Sequence, residues 1–256
     1  MRSEPSTRYA TGRTAGAGPG AFARRHARAL HVAAFILLAL IAVQTARLGA
    51  AGLFVQLGQN ETDAWPAAPR SPSAAELGRG AKYFADGLDY VSDYPWALEG
   101  AGATDLARMR ASTRPREALA AAEDAHRRFR EALQLRPTSP FLWANIALTK
   151  LYLDEIDAEL FAALRHADEL GPWEPTVQRT ILFVGLARWA DLAPDLKQML
   201  LQTIRRGADR DARNLFEIAK SYTRLDLVCA IEEYRRIAGS ACDRAAQTVK
   251  PGAAGT

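Results

Sequence analysis

Ala125-His126-Arg127-Arg128-Phe129-Arg130-Glu131-Ala132, closed by Pro137 and followed by Trp143, is the stretch whose reading decides the fold. Ala125, Phe129 and Ala132 fall four and then three residues apart, so a helix places them on one face. The two alanines let a second helix approach closely, and the phenylalanine fills the gap between them. Pro137 cannot continue a helix, so the chain must turn there. Trp143, Ile146 and Ala147 then open a second apolar stripe at helical spacing. This is the back of one helical hairpin and the front of the next.

The same alternation extends in both directions. The pattern predicts helices over Ala74–Tyr90, Pro95–Ala111, Pro115–Leu135, Pro140–Leu153, Ile156–Leu170, Pro175–Ala190, Pro194–Arg206, Asp211–Tyr222 and Asp226–Ile237. Most begin with proline, which suits a first helical turn and excludes a helix interior. No period-two alternation is long enough for a strand, so the expected fold class is all-α. Domain boundaries follow at 1–28 for a basic tail, 29–47 for a membrane segment, 48–73 for a spacer, 74–239 for the helical array and 240–256 for a C-terminal tail. The spacer contains Pro66, Pro69 and Pro72, and residues 1–23 and 249–256 lack the apolar side chains that would order them.

Val32 to Val43 is an unbroken apolar run that extends, tolerating three polar residues, from Ala29 to Ala46. That is close to the length needed to cross a hydrocarbon core. Arg24, Arg25 and Arg28 precede it, and the positive-inside rule then puts the N-terminus in the cytoplasm. The expected product is a single-pass inner-membrane protein with its helical domain in the periplasm. A cleaved signal peptide, cut near Gly49-Ala50-Ala51, is the competing reading. The seven arginines of residues 1–47 face one acid, Glu4, whereas the rest of the chain carries 26 bases and 28 acids. A near-neutral helical domain offers no electrostatic case for nucleic acid.

The hairpin pattern resembles the tetratricopeptide repeat (TPR). Ala125, Phe129, Ala132 and Pro137 stand at that repeat's back-half positions, and Leu160, Leu164, Ala167 and Pro172 repeat them. The match is strongest over residues 115–175, and the resemblance implies a TPR-like solenoid whose groove grips partner proteins. A narrower resemblance rests on Gly171-Pro172-Trp173-Glu174-Pro175, Val177-Gln178, Gly185-Leu186, Trp189 and Leu192. These look like the membrane-anchored VpsP-type family associated with bacterial exopolysaccharide synthesis. That resemblance covers roughly residues 115–230 and implies an accessory scaffold among the proteins of an envelope polysaccharide machinery. A scaffold for another envelope assembly system (pilus, secretion or cytochrome maturation), or a polysaccharide-binding or polysaccharide-modifying domain, is the alternative.

Repeat position makes Asn145 the leading groove residue, because an amide both donates and accepts hydrogen bonds. Lys150, Tyr152 and Trp173 join it as candidates, although Gly171 and Pro175 around Trp173 also suit a tight helix-to-helix turn that would pack the indole in the joint. Catalytic readings lack support. His26, His31, His126 and His166 have no ligand-spaced partners, no phosphate loop or nucleophile elbow is present, and Glu123-Asp124 and Glu232-Glu233 are sequence neighbours that point apart on a helix. No enzyme activity, metal or cofactor is expected. Cys229 and Cys242 would lie nearly 20 Å apart on a straight helix, but a reversal near Gly239 would bring them within bridging distance. A disulfide and two separate thiols both remain open at this point.

Overall fold

The computed structural model describes residues 19–65 and 71–248, all of it helix and connecting turns. The chain divides into two units, residues 1–48 and 49–256. In the first, α1 (Pro19–Thr62) begins, and the apolar side chains from Leu30 to Leu48 are exposed along it. Among the described residues, one helical span, Leu30–Thr62, is long and apolar enough to cross a membrane. Residues 19–28 of the expected tail are helical, and residues 1–18 and 249–256 lie outside the described residues.

The second unit starts with the last turns of α1 and continues through α2 (Ala74–Tyr90), α3 (Pro95–Ala111), α4 (Pro115–Leu135), α5 (Pro140–Tyr152), α6 (Ala158–Leu170), α7 (Pro175–Ala187), α8 (Pro194–Ser221), α9 (Leu225–Val228) and α10 (Glu232–Thr248). Helix starts have local causes. Proline fills the first turn of α3, α4, α5, α7 and α8, while Ser73, Ser139 and Asp157 cap α2, α5 and α6 with side-chain oxygens. Helices α5 and α8 end alike, with Asp154 and Thr223 in the left-handed region and the next amide bonded back to Lys150 O (2.9 Å) and Ala219 O (2.8 Å). Consecutive helices pack as pairs, α3 with α4, α5 with α6 and α7 with α8, and α5 also touches α4 and α7. Ala125, Phe129 and Ala132 are fully buried between these layers.

Three boundaries differ from expectation. The spacer expected at 48–73 is helix as far as Thr62, because Ala51, Val55 and Gly58 pack against α2. The Phe84 ring lies between Gly58 and Gly100, where a methyl group would come within 2.7 Å and 2.1 Å of it. The break expected near Asp211 is a kink inside α8, with Asp211 at φ −140° and ψ 24°. The array does not stop at residue 239, since α10 bends at Ala238 and returns to join Cys242 to Cys229, with Cα atoms 5.5 Å apart. Helix therefore occupies residues 240–248 of the expected C-terminal tail.

Candidate binding groove

The first helices of successive pairs, α3, α5 and α7, present one continuous face. Leu106, Ala103 and Ala107 from α3, Phe141, Ala144 and Leu148 from α5, and Val177 from α7 form the apolar floor of a cleft of about 860 Å³. Trp65 and Pro72 wall it at the α2 side. A second cleft of about 310 Å³ continues past Arg110, Leu148 and Thr180 to Tyr152, Phe183 and Ile218. Tyr152 and Phe183 in its wall have centroids 6.5 Å apart, and Phe183 in turn meets Tyr222, outside the lining, at 5.5 Å in an edge contact.

Thr62, Asp63, Ser71, Thr176 and Thr180 also line the larger cleft, beside four longer polar side chains on or next to the two clefts. Asn145 lies half-buried in the larger cleft, and among the described residues its side-chain amide has no hydrogen-bond partner. Arg110 stands where the two clefts meet, 5.8 Å from the Tyr152 ring centroid, and has no carboxylate partner among the described residues. Arg179 is engaged by Asp211 at 2.9 Å. Glu99 is engaged by Arg136 at 2.7 Å, and burial raises its pKa against the pull of that arginine. The arrangement suits an extended chain with apolar side chains on the floor, a backbone amide at Asn145 and a negative or π-rich group at Arg110.

The four predicted residues separate. Asn145 and Tyr152 share the groove face because seven residues complete almost two turns. Lys150 does not line the groove. Five residues beyond Asn145 is about 140° around the helix, so its side chain points into the α5–α6 joint. There it is 4% exposed, with its ammonium 2.7, 2.8 and 3.2 Å from Glu155, Asp157 and Glu159. Burial alone would lower its pKa, but those three hydrogen-bonded carboxylates raise it, and the Lys150 hydrogen bond holds Asp157 low. Trp173 lines neither cleft, and it does not pack in the hairpin joint; it is 56% exposed on the α6–α7 turn. Gly171 rather than the indole makes the close contact there, against Pro140.

Arg110, Phe183 and Trp65 were not anticipated as groove residues. Arg110 is legible in hindsight as the last-turn cation of α3 on the same face as Leu106 and Ala107, whereas Trp65 sits in a segment read as a spacer. On the far side of the hairpin, His126 Nδ1 meets Thr149 Oγ1 at 2.9 Å, and burial lowers its pKa. Asp105 is buried between Arg128 (3.0 Å) and Arg108 (2.7 Å), with its pKa raised by burial. Both are joints between helices. Comparison with protein-family models, with curated proteins and with solved structures finds no match for this chain.

Proposed function

We propose that this protein is a membrane-anchored, non-enzymatic scaffold whose TPR-like helical array holds an extended segment of a partner protein in the groove of α3, α5 and α7. The observation that carries this reading is the continuous cleft over the first helices of three successive pairs, apolar along its floor, where among the described residues the Asn145 amide has no hydrogen-bond partner and Arg110 has no carboxylate partner. Such a face offers the alternating side-chain pockets and single polar anchors by which extended peptides are recognised. The apolar span that begins at Leu30 supplies the anchor. The inner membrane as its site, the periplasm as the domain's compartment and exopolysaccharide assembly as its pathway are part of the same proposal. They rest on the charge asymmetry around that span and on the resemblance at Gly171–Pro175.

Chemical crosslinking followed by purification of the full chain from its own membranes tests this reading. We expect defined protein partners that are lost from an Asn145→Ala/Arg110→Ala variant of unchanged helicity. Retention of the same partners by that variant would remove the groove from the account. Recovery of glycan in place of protein would favour a polysaccharide-binding domain.

A further inference from the structure

An apolar floor holds an extended chain running in either direction, so the charges around it can fix which way a bound segment lies. On this groove the charges are segregated. Asp63 and Glu99 line the larger cleft alone, Arg179 the smaller one alone, and Arg110 both. The order follows from how the helices run. Glu99, Phe141 and Thr176 lie early in α3, α5 and α7, whereas Arg110, Tyr152 and Phe183 lie late in them. The three helices are therefore parallel, and the two clefts succeed one another along their axes. From Glu99 to Arg110 is eleven positions of α3, about 16 Å, which about five extended residues span.

The arginine end offers more donors than the fold uses. Asp211 stands 2.9 Å from Arg179 Nε, and Pro175 O accepts from that same nitrogen at 3.2 Å. Among the described residues, the terminal Arg179 nitrogens reach only Thr176 Oγ1, at 3.5 Å. Arg110 has the Tyr152 ring centroid 5.8 Å from its guanidinium carbon and no carboxylate partner among the described residues. Tyr152 thus supplies the π contact, and what the five N–H groups of Arg110 lack is an acceptor. The C-terminal ends of α3 and α5 lie here too, but their half charges are outweighed by two guanidinium charges. At the opposite end Arg136 balances Glu99 at 2.7 Å, while Asp63 is exposed and would repel a second acid.

Building on the groove reading above, we infer that the groove selects partner segments by a carboxylate side chain seated at Arg110 beside Arg179, about five residues from an end that carries no acid and lies by Asp63. Between the two ends, alternate apolar side chains of the segment rest on the floor of Leu106, Ala144 and Leu148. A partner segment therefore binds in one direction and one register, which an apolar floor alone would not impose. Arg110 sets that direction from an exposed site, so its charge can be changed without opening the core.

The test pans a phage-displayed library of random decapeptides against the full chain in nanodiscs, with Arg110→Glu and Arg110→Gln chains of unchanged helicity as counterparts. We expect the wild-type chain to enrich peptides in which an Asp or Glu stands at one fixed distance from alternating apolar residues. Arg110→Glu should enrich Lys or Arg at that position instead, a reversal that a merely structural arginine would not produce. In the best wild-type peptide, made synthetically, changing the acid to its amide should weaken binding to the wild-type chain about tenfold and leave binding to Arg110→Gln unchanged. Enriched peptides with no fixed charge, whose binding is abolished by filling the cleft from exposed Ala103 with Ala103→Trp, would overturn this inference and leave the groove standing. An acid preference that survives Arg110→Glu would put the acid elsewhere and overturn it as well. No enrichment over empty nanodiscs would remove the groove and this inference together.

Discussion

Replacing Gly100 with alanine asks whether the end of α1 is truly built into the helical unit. A methyl group at residue 100 would stand 2.1, 2.3 and 2.6 Å from three atoms of the Phe84 ring. Ordinary carbon contacts are about 3.5–4.0 Å, so the ring or α3 must move by more than 1 Å. The ring has nowhere to go. It is fully buried, and Gly58 of α1 closes its other face, where an added methyl group would itself stand only 2.7 Å from the ring. Overpacking of a closed core costs about 1–3 kcal/mol, and the closeness of this contact puts it at the upper end. Alanine in a helix interior is favoured over glycine by about 1 kcal/mol, which opposes the clash. The net expectation is a loss of about 2 kcal/mol, or roughly 4–8 °C in Tm for a chain of this size.

Denaturant unfolding of the detergent-solubilised full chain, followed by circular dichroism, measures this loss. Phe84→Leu alone should be destabilising, but the Gly100→Ala/Phe84→Leu pair should cost less than the sum of the two changes, because the smaller side chain makes room. Gly58→Ala should be milder than Gly100→Ala, following the distances. A Gly100→Ala chain more stable than wild type would mean that helix propensity alone governs the position. That result would refute the seating of Phe84 between α1 and α3.

Three other consequences are accessible. Lys150→Met should destabilise the α5–α6 hairpin by about 2–3 kcal/mol, less than the full cost of breaking a buried ion pair because Glu155, Asp157 and Glu159 keep partial hydration; thermal melts at low and high salt would check it. His126 is held below its ordinary pKa by burial, with Lys150 and Arg130 adding to that and Glu159 opposing it. The unfolded chain therefore takes the proton first, so its contribution is level above about pH 6.5 and declines as pH falls from there toward the folded value. Stability measured across that window should decline less in His126→Gln, whereas Glu99 and Asp105, raised by burial, act with the opposite sign at lower pH. Finally, Cys229→Ser/Cys242→Ser removes a crosslink across 13 positions, about 3 kcal/mol in the chain-entropy account; hydrogen exchange should accelerate in α10 and remain slow in α5 and α7.

How far the sequence disclosed this molecule can be argued residue by residue. Proline at 95, 115, 140, 175 and 194 marks helix starts whose cause is local, and those starts match. Ala125, Phe129 and Ala132 declare their burial by spacing alone. Asn145 and Tyr152 share a face for the same reason, and that periodicity also places Lys150 elsewhere. What the spacing does not contain is the trio of carboxylates that surrounds its ammonium, since they come from the following turn and helix. Pro66, Pro69 and Pro72 suggest a spacer when read locally, yet the helix continues to Thr62, where Phe84, distant in sequence, needs Gly58 for room. Trp173 looked like a joint residue because its neighbours are turn formers, yet Gly171 provides the close packing and the indole stays outside. The return of α10 needed Ala238, whose bend has no sequence signature beyond the adjacent glycine.

The measurement that tests the groove most directly is photocrosslinking in native membranes from a benzophenone side chain placed at position 148, on the groove floor, and separately at position 127, exposed on α4. The account predicts a discrete crosslinked polypeptide from position 148 that position 127 does not produce and that Arg110→Ala diminishes. Equal crosslinking from both positions, or none from position 148 while position 127 reacts, would contradict it.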